Sequence, residues 1–485
     1  QAPAAMLYES LKSRTVYFGK YFPEWGGVWA KGIAIAELSA RSGVLACAAT
    51  LSRRDSPLRA RAAAAADCLA MMRAVPAGGE RRDGMSRTSV LPVLLGLAVL
   101  FSLARYVHDL LKFLLQSSFI DFAHYYTFAT VVSLGVDAYD PHAVQQVDAM
   151  LQLRRAGGGA DYPPLFYVLM APWTWFSFRT AAVAWFLLSQ VCLFAALAVC
   201  AAKTTVVTPV RLALVACVAL NFQPVLETVA LGQSNLVLLL LLTAAWWGLR
   251  KKHPWLVAAA LAGAVHIKIQ YVLLLAFLGW MGARRAFLRA VLLCGLGVGA
   301  GLLALGQSHY RGYLGLLYES SAVYADWILN LSVRAGLYRL LDLSGTNDVT
   351  ADGLWVAMGV LFLGIAAPAV KNIVERDPEQ MDWAWGLALS AVLLFAPMTE
   401  EHHLVVLLLP LTCLLLSPDV PFILSFRGLL LLGSVVLLAS RYSLNQFPLF
   451  HHGIYSLAML GKTAGIAGLA VVLLMQLRRD GRSTA

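Results

Sequence analysis

Charge is what this chain has least of. Asp, Glu, Lys and Arg make up 13% of its 485 residues, against 59% hydrophobic ones. Soluble domains carry roughly 25% charged residues, so a water-soluble globular enzyme is excluded. The seven cysteines are few and scattered, with no CxxC pair. Cys192, Cys200, Cys217, Cys294 and Cys413 lie in or beside apolar runs, where a thiol packs as a small hydrophobe, and Cys47 and Cys68 fall near the N-terminus. A disulfide framework and a zinc site are therefore not expected. No clear internal repeat marks the two halves that many transporters show. No basic domain with interleaved aromatics exists either, so the net charge of +11 does not point to nucleic acid.

What the chain has in quantity is long apolar sequence. Apolar runs follow one another from residue 89 to residue 477, and the mean hydropathy is +0.69. A span needs about 20 mostly apolar residues, which predicts an all-α, polytopic transmembrane helix bundle of about 11–13 membrane segments. Residues 1–84 differ: they are rich in Ala and Arg and hold no run long enough to span. They read as a disordered tail or a start assigned too early, with Met85 a natural start before the domain of residues 85–485.

Basic residues set the topology. Arg81, Arg82 and Arg87, Arg250-Lys251-Lys252, Lys371 with Arg376, and Arg478-Arg479-Arg482 all flank apolar runs and should face the cytoplasm. Keeping Arg284, Arg285 and Arg289 there as well requires 255–282 to fold as a hairpin of two half-length helices. Residues 164–178 then make a short dip. With this parity the first outer loop (117–162), the Gly232-Gln233-Ser234-Asn235 turn, the second large outer loop (307–352) and Glu400-Glu401-His402-His403 share the opposite face. Polar and titratable residues thus collect on one side, as a binding or catalytic face would require.

Asp121, in Asp121-Phe122-Ala123-His124-Tyr125-Tyr126, opens the first outer loop. A carboxylate there is equally suited to cap a helix or to take a proton from a hydroxyl. Asp137 and Asp140, before Pro141, read as turn residues. Arg105, His108, Asp109 and Lys112 share one face at the end of the first span, where an Arg105–Asp109 pair is expected. Gln233 and Asn235 make a tight turn whose amides also suit sugar hydroxyls. Lys268, within an apolar run, is a functional candidate by position, and a lysine suits a lipid phosphate. The loop residues Asn330 and Arg334, with Arg339, combine a sequon-like Asn330-Leu331-Ser332 with guanidinium groups fit for phosphate. His402 and His403 are adjacent and should point to different helix faces, unlike an HExxH zinc helix.

Taken in order, these segments resemble glycosyltransferase family 87, membrane enzymes of the GT-C type. The resemblance runs from about Met85 to the C-terminus. It rests on Asp121 with Tyr125-Tyr126, Gly135 to Pro141, Tyr162-Pro163-Pro164 with Pro172, Gly232 to Asn235, Lys268, Asn330 to Arg339 and His402-His403. Leu331 stands where that family usually has Gln, and Met398-Thr399-Glu400-Glu401 replaces a Ser/Trp-containing stretch. The resemblance implies transfer of a hexose, mannose foremost, from a polyprenyl-phosphate sugar to a glycan or glycolipid hydroxyl. The reaction would invert the anomeric centre at the extracytoplasmic face of a bacterial plasma membrane. Asp121 would be the base. Tyr125, Tyr126, Gln233, Asn235, Lys268, Asn330, Arg334, His402 and His403 would bind substrate, with no metal or cofactor. A carrier or flippase of lipid-linked sugars is the competing reading, and it predicts ionisable residues spread through the bilayer midplane.

Overall fold

The computed structural model describes residues 90–203, 208–343, 348–375, 378–417, 425–441 and 444–483. The tail of residues 1–84 lies outside them. The chain divides into two compact units, residues 1–94 with 421–429 and residues 95–420 with 430–485. The second holds every feature discussed below.

The described residues are helical, joined by turns and 3₁₀ segments. In chain order the helices are α1 Val90–Gln116, α2 Ile120–Ser133, α3 Pro141–Leu151, α4 Pro164–Met170, α5 Phe178–Ala201, α6 Pro209–Asn221, α7 Gln223–Leu231, α8 Asn235–Arg250 and α9 Pro254–Ile267. They continue with α10 Leu273–Trp280, α11 Arg284–Leu305, α12 Gln307–Val323, α13 Val333–Leu340, α14 Val349–Val370, α15 Pro378–Phe395, α16 Leu408–Leu416, α17 Phe426–Ala439 and α18 Gly461–Ser483. Among the described residues five helices are long and apolar enough to cross a membrane, and α6 with α7, bent by 45°, makes a sixth candidate. Six further apolar helices among the described residues are shorter than a span. This is the expected all-α polytopic bundle.

Local sequence explains several helix starts. Asp140 accepts from the His142 amide ahead of Pro141, Ser332 accepts from the Ala335 amide, and Asp348 accepts from Thr350 and Ala351. Each side chain satisfies an amide that the first turn leaves without a partner. Asp137 likewise accepts from the Tyr139 amide, in keeping with its reading as a turn residue. The expected Arg105–Asp109 pair does not form among the described residues. Arg105 leaves Nε and Nη2 unpaired, and α1 is tied instead by Tyr106 to Gln190 and by Ser102 to Asn221.

The two ends of the bundle differ. At one end Asp382, fully buried, accepts from Lys203 Nζ at 2.9 Å, Arg250 Nη1 at 2.6 Å and Trp246 Nε1 at 2.9 Å. Arg289 stacks over Trp255 at 4.5 Å, and His266 Nε2 lies 3.2 Å from the Cys294 carbonyl, so α9 and α11 run parallel. The chain must return between them, and it does so through a 3₁₀ turn and α10. The far end of α10 is bonded to the segment before α15, by Asn372 N to Trp280 O and Val374 N to Met281 O. Residues 254–280 are therefore the expected hairpin, with Lys268 at its apex and the Arg250 and Arg284 clusters at the same end.

The opposite end carries both large loops. The first supplies the small helices α2 and α3, the second α12 and α13. They meet where the Ala138 amide donates to His309 and where Tyr139 covers Gly312.

Candidate active site

The approach of α2 to the turn after α7 builds the site. Ser117 Oγ donates to the Ala230 carbonyl, and Phe119 takes a left-handed φ of 46° that turns the chain sharply from α1 into α2. That conformation is costly for a residue with a β-carbon. Asp121 falls in the first turn of α2, where the helix dipole favours a carboxylate, but Phe119 occupies the cap position. Of the two readings of Asp121, helix capping is not what its side chain does. Gly232, at φ +74°, lies directly against Phe122, and Trp185 Nε1 holds its carbonyl at 2.9 Å.

Gln233 orients the carboxylate. Its Oε1 accepts from the hydroxyls of Tyr125 at 2.5 Å and Tyr162 at 3.1 Å, and the two hydroxyls are 2.7 Å apart. With the amide oxygen so occupied, its NH₂ group is the one left to bond Asp121. Burial raises the Asp121 carboxyl above the usual aspartate range. His402, Gln233 and Lys268 counter that rise, and the Glu400 charge adds to it. Tyr125 is pushed well above an ordinary phenol, first by burial and then by the Asp121 charge, so its hydroxyl stays a donor.

Lys268 meets this cluster from the hairpin apex. Its ammonium touches His403 Nε2 and lies 5.7 Å from the centre of the Tyr162 ring. Residues 401–407 form 3₁₀ turns, and the paired histidines do not diverge as expected, because Glu400 at the cap position meets both rings. Both rings turn towards Glu400, with Nε2 of His402 at 3.2 Å and Nε2 of His403 at 3.9 Å from its Oε2. Burial alone would raise the Glu400 carboxyl, but the His402 charge and hydrogen bond, with Lys268, bring it below the ordinary range.

Glu400, His402 and His403 have ligand atoms within 4.8 Å of one another, a spacing that a divalent ion would use. The hydrogen bonds argue against it. His403 Nδ1 accepts the Glu400 amide at 3.1 Å and Nε2 is taken up by the Lys268 amine, so neither ring nitrogen is open to an ion. A cation would also sit beside the Lys268 ammonium. The donor set does not fit a metal.

The other expected residues divide. Tyr126 points away from the cluster and donates to the Phe176 carbonyl at 2.8 Å. Asn235 is buried with both amide atoms unpaired. Asn330, 0% exposed, donates to the Tyr324 and Pro397 carbonyls and accepts from the Ser332 and Thr399 amides. Its hydrogen-bonding capacity is spent, which removes it as a glycosylation acceptor. Asn330 instead fastens the segment leading into Glu400. Arg334 is bound to Asp352 through Nε at 2.6 Å and Nη2 at 3.1 Å and stacks on Tyr338 and Trp355. Arg339 is wholly buried and bonds the Trp327 and Asn330 carbonyls.

Two groups near the cluster escaped sequence reading. Asp161 accepts from His124 Nε2 at 3.0 Å, and Lys462 pairs with Glu401 at 2.8 Å. Their separations along the chain carry no motif, so no spacing could have linked them.

Residues 161–397 match Glycosyltransferase family 87. The matched stretch includes Tyr162, Gln233, Lys268 and Asn330 and ends before Glu400. No curated protein and no solved structure is significantly similar to the chain. That match, over just under half of the chain and on an all-helical bundle with membrane-length helices, supports glycosyltransferase family 87 and indicates a membrane glycosyltransferase.

Proposed function

We propose that the protein transfers a hexose, most simply mannose, from a polyprenyl-phosphate sugar to a hydroxyl of a glycan or glycolipid, at the extracytoplasmic face of a bacterial plasma membrane. The observation that carries this reading is the convergence of Asp121, Lys268 and His402-His403, distant in sequence, on one small cluster. Asp121 takes the proton of the acceptor hydroxyl as that oxygen attacks the anomeric carbon. The bond from that carbon to the phosphate oxygen breaks on the opposite side, which inverts the centre, and the electron pair leaves with the polyprenyl phosphate. Lys268, with His402 and His403 beside it, stabilises that departing charge. The basic clusters gathered near Asp382 support a cytoplasmic assignment for that end, and so an outer position for the Asp121 cluster. A carrier would have its ionisable groups along a path through the bilayer, whereas these are concentrated around the loops.

The test is transfer of labelled mannose from polyprenyl-phosphate-mannose in membranes holding wild type or Asp121→Asn, both checked for folding. Loss of about 10²-fold or more in the folded variant is expected. Equal rates would remove Asp121 from the chemistry. An inactive wild type would reject this donor.

A further inference from the structure

Asp161 ends a loop that is fixed on every side. Arg155 binds Asp148 through two nitrogens, at 2.8 and 2.7 Å, and also donates to the Ala156 and Gly158 carbonyls. The Ala156 amide donates to the Ile120 carbonyl, and the Tyr139 hydroxyl donates to the Ala160 carbonyl. Gly158 sits at φ +101°, a backbone state that costs other residues.

On this rigid support the Asp161 side chain is 47% exposed, while its partner His124 is 2% exposed. His124 engages Oδ1; Oδ2 has no hydrogen bond among the described residues. Its loop touches the loop layer directly: the Tyr139 hydroxyl bonds Ala160, Gly158 lies beside the Tyr324 hydroxyl and Gly159 beside Leu316. Asp161 therefore stands between the Asp121 cluster and the loops. The next residue, Tyr162, bonds Gln233 and lies beneath Lys268.

A carboxylate there would repel a phosphate, so it does not hold the charged part of the donor. An exposed carboxylate oxygen accepts hydrogen bonds from neighbouring sugar hydroxyls, and tyrosine rings offer flat apolar surface to the C–H face of a pyranose. With the donor phosphate at Lys268 and the paired histidines, the loop side is left to the acceptor sugar. We propose that Asp161, positioned by His124, binds hydroxyls of the acceptor sugar and sets acceptor specificity. The assignment to the acceptor rests on the function proposed above; the sugar-binding role does not.

The experiment uses the full chain in nanodiscs and a panel of octyl α-mannoside, β-glucoside and β-galactoside, with binding measured by calorimetry in the absence of donor. Wild type is expected to bind at least one of them, and Asp161→Asn to bind it about tenfold or more weakly at an unchanged melting temperature. In turnover with polyprenyl-phosphate-mannose, the acceptor KM should rise by a similar factor while the donor KM stays within about threefold. If Asp161→Asn fails to fold, Asp161→Ser is read in its place. Equal binding by wild type and variant, or no binding of any glycoside by wild type, overturns the proposal. So does a rise confined to the donor KM. Failure of the donor reading alone would appear as glycoside binding without mannose transfer, so the two outcomes are distinct.

Discussion

Gly232 and Phe122 approach so closely that a β-carbon on Gly232 would lie 2.7 Å from the Phe122 β-carbon. The same β-carbon would lie 3.2 Å from that of Phe119, and Gly232 also holds φ +74°. A methyl group at this position is strained twice, by the backbone and by α2. Relief requires α2 to move away, carrying Asp121 off the Gln233 amide. Gly232→Ala is expected to fold less stably and, in its folded fraction, to lose about 10²-fold in transfer, as misplacement of a reacting group by about 1 Å can do. Transfer rates per folded molecule measure this. A variant as active as wild type would show that the close approach does not place the carboxylate.

The pH dependence of transfer reports the Asp121 environment. A base must be ionised, so kcat/KM should rise with pH through the Asp121 pKa, which burial lifts above the ordinary aspartate range. Glu400 is shifted the other way and remains charged throughout that limb. Gln233 lowers the Asp121 pKa by hydrogen bonding its ionised form, so Gln233→Leu should move the acid limb to higher pH. A limb that stays put or moves to lower pH would show that some other group is titrating.

Metal dependence follows from two contacts of one ring. The Glu400 amide donates to His403 Nδ1, and the Lys268 amine takes up Nε2, the atom a metal would need. Transfer is expected to proceed unchanged after chelation with EDTA. Loss of activity that Mg²⁺ or Mn²⁺ restores would mean that Lys268 gives up Nε2 of His403 and that Glu400, His402 and His403 act as ligands.

The sequence reading reached furthest where physics is local. Hydropathy and length gave the helical bundle, and the distribution of Arg and Lys required the hairpin whose apex is Lys268. Turn chemistry gave the roles of Asp137 and Asp140. It reached less far where partners come from distant segments. Nothing near Arg334 in sequence announces Asp352 as its partner, and nothing near Asn330 shows that the Pro397–Thr399 backbone will consume its amide. The paired histidines depart from the expected divergence because Glu400, at the cap of the 3₁₀ segment, engages both rings, and a residue type alone does not announce that partner. His124 and Asp161 were invisible because a single ion pair leaves no periodic trace.

Arg334 separates a structural cation from a phosphate ligand. Its guanidinium is 4% exposed and held by two bonds to Asp352, itself 28% exposed, so removing the cation strands a largely buried carboxylate. Arg334→Met should cost about 3 kcal/mol of stability, the scale for breaking such a pair. Replacing both partners, as Arg334→Met with Asp352→Leu, removes the stranded charge and should recover most of that loss. Unfolding of the four proteins of this cycle in detergent measures the coupling, and the donor KM of each folded fraction is expected to stay within about twofold of wild type. A donor KM that rises sharply in Arg334→Met, with stability intact, would instead make Arg334 a ligand of the donor phosphate. Non-recovery in the double variant would mean that the stacking on Tyr338 and Trp355, rather than the ion pair, holds α13 in place.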